Sequence, residues 1–230
     1  MAGTSGGEEL SSDGDWLKRI SSIEQTLANW QPGLLGYGDA RKTAVLVTLQ
    51  ADDRGNLQVL FEHRAKTLRR QPGEISFPGG HVEPVDVGPA QTAIREAAEE
   101  LGISESAIRL LGALDVFPAS SNLLVYPFVG VIAEGVKLSP NPDEVEEVFQ
   151  LPYEQLLNYQ PDVYEVTLKP EFPDNFPYHL VPRGRNYSWR TSIQRQYFFQ
   201  FNGWVIWGLT ARILKHFLDV TRNHVTRNQG

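Results

Sequence analysis

The stretch that most constrains this chain runs from Phe77 to Ile103, FPGGHVEPVDVGPAQTAIREAAEELGI. A loop rich in Gly and Pro leads into a short helical pattern. Pro89 stands at its first turn and Gly102 just past its end, which bounds a helix at 89–101. On a wheel of about 100° per residue, Ile94, Ala97, Ala98 and Leu101 fall on one side. Glu96, Glu99 and Glu100 fall on nearly the opposite side. Such a helix packs one face and offers three carboxylates on the other. Like charges at i, i+3 and i+4 cost about 0.2–0.5 kcal/mol per pair, and acids near a helix C-terminus oppose its dipole. No lysine stands four residues away to compensate. A cluster that costs stability this way suits a bound hard cation, Mg²⁺, Mn²⁺ or Ca²⁺, rather than zinc. A solvated acidic face is the plainer reading of the glutamates alone.

The preceding loop favours the cation. Gly79 and Gly80 permit close backbone approach. Glu83 and Asp86 add acids upstream, and Arg95, on the flank of the glutamates, can fork onto one of them and brace the loop against the helix.

The residues from Gly80 through Asp86 to Arg95-Glu96-Ala97-Ala98-Glu99-Glu100-Leu101-Gly102-Ile103 resemble the Nudix hydrolase signature. That signature is G, five residues, E, seven residues, then R-E-U-x-E-E-x-G-U, with U bulky and aliphatic. Two departures stand out: Asp86 replaces Glu, and eight residues separate it from Arg95. Ala97 is also smaller than usual. The departures, together with Arg69, Gly73 and Phe77-Pro78-Gly79-Gly80 at matching spacing, look like the coenzyme A pyrophosphatase branch. Leu60-Phe61-Glu62-His63-Arg64-Ala65 matches the earlier part of that branch's motif only loosely. Asp143-Glu144-Val145 and Trp207-Gly208-x-Thr210-Ala211-Arg212 are further echoes.

The resemblance implies an α/β fold, an α/β/α sandwich around a mixed sheet with a loop-helix-loop metal motif. It implies Glu96, Glu99 and Glu100 as ligands of Mg²⁺ or Mn²⁺, with Glu99 or Glu100 as general base. Gly79, Gly80, Arg64 and Arg69 are candidate substrate contacts, and Glu83, Asp86 and Arg95 support the motif. The implied activity is hydrolysis of the coenzyme A pyrophosphate to 3′,5′-ADP and 4′-phosphopantetheine. Alternatives are another nucleoside diphosphate derivative, such as ADP-ribose or NADH, or a nucleotide sensor without chemistry.

Composition narrows the rest. Of 230 residues none is Cys, which removes disulfides, Cys-ligated zinc and thiol nucleophiles. The net charge of −7 argues against a nucleic-acid binder. No apolar run is long enough to span a membrane, and the acidic N-terminus has no signal-peptide pattern, so a cytoplasmic protein is expected. Residues 181–230 carry eight Lys/Arg and one acid, against 13 basic and 27 acidic residues before them. A basic tail could meet an anionic substrate through Arg183, Arg185 and Arg190, or be a solvated surface.

Along the chain, 1–40 reads as an extension, with 1–14 disordered and 15–30 helical. The catalytic domain is expected at 41–220, with a tail at 221–230. Strands are expected at Thr43–Gln50, Leu57–Arg64, 108–116, 124–133, 163–168 and 195–201. Short and long helices are expected at Pro152–Tyr159 and Trp204–Val220. His63 and His81 read as hydrogen-bonding surface residues. Tyr197, Phe198, Phe199, Phe201, Trp204 and Trp207 could stack an adenine but read first as core or a homodimer contact.

Overall fold

The computed structural model describes residues 15–227. The expectation of disorder over 1–14 lies outside them. The chain divides into two units, 1–39 and 40–230. In the first, α1 (Asp15–Ala28) carries Leu17, Ile20, Ile23 and Leu27 at helical spacing, and all four are exposed.

The second unit is built on a mixed sheet. Its centre is β1 (Arg41–Ala51), whose apolar residues alternate between the two faces. The turn at Asp52–Asn56 is held by Asp52, whose Oδ1 accepts from the Arg54 and Asn56 amides. It returns the chain as β2 (Leu57–Arg64), antiparallel to β1. Two short strands that the loop-rich sequence hides, β3 (Ile75–Ser76) and β4 (Gly79–His81), pair with β2 and β1. Then comes α2 (Pro89–Leu101). Gly102 ends it in the left-handed region at φ 63°, where a Cβ would lie 1.8 Å from the Ser139 carbonyl oxygen.

The strand expected at 108–116 is β5 (Ile108–Ala113), which ends at Ala113, and an unexpected strand, β6 (Phe117–Ser120), follows it. Both pair antiparallel with β7 (Leu123–Ile132), and β7 runs parallel to β1 from Arg41↔Leu123 to Leu49↔Val131. A further strand, β8 (Val145–Pro152), covers the outer edge of β2. It is followed by α3 (Tyr153–Asn158).

Beyond this sheet, β9 (Asp162–Leu168), β10 (Ser192–Phe201) and β11 (Trp204–Ile206) form an antiparallel ribbon. The final helix α4 spans Gly208–Arg227. The expectation of helix from Trp204 is therefore corrected. Asn202 and Gly203 both take positive φ, 48° and 89°, so they turn the chain as a tight hairpin and keep Trp204–Ile206 in a strand. Helix also continues to Arg227, into the expected tail.

Two apolar layers sandwich the sheet. Val47, Leu49, Val59 and Phe61 pack with Leu214, Phe217 and Leu218 of α4 and Leu156 of α3. On the other face, Ala44, Leu46 and Leu60 pack with Ala93, Ala97, Ala98 and Leu101 of α2. This is an α/β/α sandwich. Among the described residues no helix is long and apolar enough to cross a membrane.

Candidate active site

The site forms where α2 crosses the sheet beside β4. Ala93 and Ala97 are wholly buried, so α2 lies close to the strands and its polar flank faces the Gly79–Gly80 segment. The Gly79 amide donates to Glu100 Oε2 at 2.8 Å. A Cβ on Gly79 would lie 2.3 Å from the Ala44 carbonyl oxygen, and one on Gly80 would lie 2.2 Å from Glu96 Cδ. Both glycines are there because neighbours occupy the space of a side chain.

Arg95 binds the loop to the helix. Its Nε and Nη2 donate to the two Asp86 oxygens at 3.1 and 3.2 Å. Nη2 also reaches Glu96 Oε1 at 2.9 Å and Nη1 reaches Glu99 Oε2 at 3.2 Å. Arg95, four residues before Glu99, thus supplies the compensating cation that a search for lysine overlooked. Asp86 Oδ2 further accepts from the Glu83 amide and the Thr92 hydroxyl. The Arg95 fork holds the Asp86 carboxyl far below the usual range and raises the guanidinium in turn. Glu83 joins this brace through its backbone, not its exposed side chain.

The three glutamates are not equivalent. Glu99 is open to solvent, with 58% of its side chain exposed, whereas Glu100 is 5% exposed. Burial pushes the Glu100 carboxyl up to about 7, against the opposing effects of the Gly79 amide and Arg64. Burial likewise raises Glu96, although Arg95 counteracts it. Arg64 Nη1 lies 4.0 Å from Glu100 Oε1, and its buried Nε has no hydrogen-bond partner.

Two further acids belong to this neighbourhood, and sequence reasoning missed them. Glu62 is wholly buried on β2, and neither of its oxygens has a hydrogen-bond partner. Burial, and next the charge of Glu100, lift its carboxyl well above the ordinary range. The charge of Glu144 acts on Glu62, Glu96 and Glu100 alike. The signal for Glu62 was an acid directly after the apolar run Val59-Leu60-Phe61 of LQVLFEHR.

Other expected residues lie elsewhere. Arg69 is exposed between β2 and β3 and forms no ion pair among the described residues. Arg185 stacks over the Tyr178 ring at 4.6 Å, and Arg183, Arg185 and Arg190 form no ion pair among the described residues. His63 approaches Glu146 at 3.7 Å and meets the Trp204 ring edge-on, while His81 Nδ1 is 3.1 Å from the Thr43 hydroxyl. Phe199 and Phe201 are core, Trp204 stacks on Phe149 at 4.5 Å, and Trp207 is half exposed.

The donors at the site are all oxygens, which fits a hard divalent cation. Among the described residues no three His, Cys, Asp or Glu side chains are grouped closely enough to hold an ion as they stand. Arg95 occupies Glu96 and Glu99, and the Gly79 amide holds one oxygen of Glu100. The unpaired Glu62 oxygens leave acceptor capacity that a cation would use.

A carboxylate-bearing helix braced by arginine under a mixed sheet, with helices on both faces, defines the class of loop-helix-loop α/β/α proteins. The profile of the NUDIX domain family matches residues 40–170, more than half of the chain, and the chain belongs to that family. It is 33% identical over 174 residues to an uncharacterized Nudix hydrolase, NudL, of Photorhabdus laumondii, covering 76% of this chain and 81% of the relative. It is 33% identical over 180 residues to "Nudix hydrolase 22, chloroplastic" of Arabidopsis thaliana, covering 76% and 53%. It is 39% identical over 125 residues to "Peroxisomal coenzyme A diphosphatase NUDT7" of Mus musculus, covering 54% and 52%. The chain thus spans about half the length of the plant and mouse relatives.

Proposed function

We propose that this chain is a Mg²⁺- or Mn²⁺-dependent hydrolase of the pyrophosphate bond in nucleoside diphosphate derivatives, and that its substrate is coenzyme A. The observation that carries the hydrolase reading is the Gly79–Gly80 segment seated directly on Glu96 and Glu100, with Arg64 alongside. Similarity to the mouse coenzyme A diphosphatase supports the substrate, as does the spacing of Arg69, Gly73 and Phe77-Pro78-Gly79-Gly80.

Glu96 and Glu100 would hold the metal, with Glu99 at the solvent side. Such a metal neutralises diphosphate charge and lowers the pKa of a bound water. The Asp86–Arg95 fork holds the loop after the Gly79–Gly80 segment against α2, while pairing with β1 holds the segment itself. The Gly79 amide fixes Glu100 by Oε2 and leaves Oε1 to work. Arg64 offers a buried, unpaired N–H near the same carboxylate, suited to a phosphate oxygen. Glu99 or Glu100 takes the proton of the attacking water, and no covalent nucleophile is required.

The test is incubation with Mg²⁺ or Mn²⁺ and, separately, coenzyme A, ADP-ribose and NADH, with products identified by mass spectrometry. The expected result is 3′,5′-ADP and 4′-phosphopantetheine from coenzyme A, lost in Glu100→Gln. Cleavage of the other compounds alone would retain the hydrolase and refute the substrate. Binding without cleavage would favour a sensor.

A further inference from the structure

Strand β2 presents alternate side chains to the two faces of the sheet. Leu60 lies in the apolar layer shared with Ala97 and Leu101 of α2. Glu62, two residues on, continues along that face, and Arg64, two further, reaches Glu100. The strand therefore places an acid between its apolar contact with α2 and its cation. Glu62 is fully buried, and both oxygens lack a hydrogen-bond partner. Its one hydrogen-bonding neighbour, by a shared proton, is a second carboxyl, Glu100, so without a cation two acids share the desolvation and repel once both ionise. Its neighbours are Glu100, Arg64 and Glu144. Among the described residues no backbone amide or hydroxyl donates to it, so its only hydrogen-bonding contact is the acid that faces it on α2.

We propose that Glu62, outside the loop-helix motif, is a further carboxylate of the divalent-cation site, holding the cation with Glu100 either directly or through a water of its shell. This rests on the metal-dependent reading above. A hard cation demands several oxygen ligands, and Glu62 supplies two that the rest of the fold leaves unused. The site is then assembled from β2 as well as α2, so the cation ties the strand to the helix.

The test is Mn²⁺ binding to the full chain, stripped with EDTA, followed by the electron paramagnetic resonance signal of free Mn²⁺. Thermal melting is recorded with and without Mn²⁺. Wild type, Glu62→Gln and Glu62→Met are compared. The expected result is Mn²⁺ affinity at least tenfold weaker in both variants and a reduced rise in Tm on adding Mn²⁺. Metal-free Tm should stay equal or increase, since one of two facing buried acids has gone. Mn²⁺ affinity within twofold of wild type in either folded variant would overturn the proposal, as would a lower metal-free Tm with unchanged affinity. Failure of wild type to bind Mn²⁺ would instead overturn the metal-dependent reading, and with it this one.

Discussion

At the scale of single residues, the two loop glycines do different work. A Cβ at Gly79 meets backbone of β1, the Ala44 carbonyl and Val45 Cα at 2.7 Å, and neither can move alone. A Cβ at Gly80 meets only the end of the Glu96 side chain, which can swing away. Gly79→Ala is therefore expected to cost about 2–3 kcal/mol of stability. Gly80→Ala should cost under about 1 kcal/mol yet lower hydrolysis at least tenfold, by displacing Glu96. Urea unfolding paired with rate measurements separates the two. The motif's identity was legible because Arg95-Glu96 and Glu99-Glu100 are fixed by local spacing. Glu62 was not, since which face of a strand meets which helix is a matter of packing.

At the scale of elements, α2 depends on small residues. Ala93 and Ala97 are wholly buried against the sheet, and this close approach brings Glu96 and Glu100 to the Gly79–Gly80 segment. Ala97→Leu should push the helix outward, costing about 1–3 kcal/mol and reducing activity more than a comparable surface change on α2. Denaturant midpoints and kcat/KM read both effects. Helix α2 could be read from periodicity because it buries one face, and strands β1, β2 and β7 from apolar runs that are buried on both faces of the sheet. Strand β8, VEEVFQLP, could not, because its exposed and buried positions do not alternate cleanly. Strand β11 was absorbed into the next helix because three residues carry no periodic signal, although the Asn202–Gly203 turn marked it.

At the scale of the whole molecule, the buried acids make stability depend on pH. In metal-free protein, folded Glu100 holds its proton to about pH 7, while the unfolded chain loses it near the ordinary carboxylate value of 4.5. The folded state binds more protons within that window. Through Glu100 stability therefore falls as pH rises from about 4.5 to about 7, by up to about 3 kcal/mol, and the raised carboxyls of Glu62 and Glu96 add to the decline. Asp86 acts oppositely at lower pH: its contribution is present above the usual carboxylate range and lost as acid protonates it. Urea titrations in EDTA should show the decline toward pH 7, and Glu100→Gln should make it shallower. An unchanged slope in that variant would refute the assignment to Glu100.

The sequence by itself determined the family, the metal-motif helix, its arginine brace and the central strands. These follow from residue spacing and backbone chemistry within short windows. Tertiary structure alone decided which carboxylates are buried, that Arg64 rather than Arg69 stands beside Glu100, and that Glu62 faces the site from β2. Those depend on residues far apart in the chain meeting across a packed interface, where desolvation, rather than residue type, sets what a carboxylate can do.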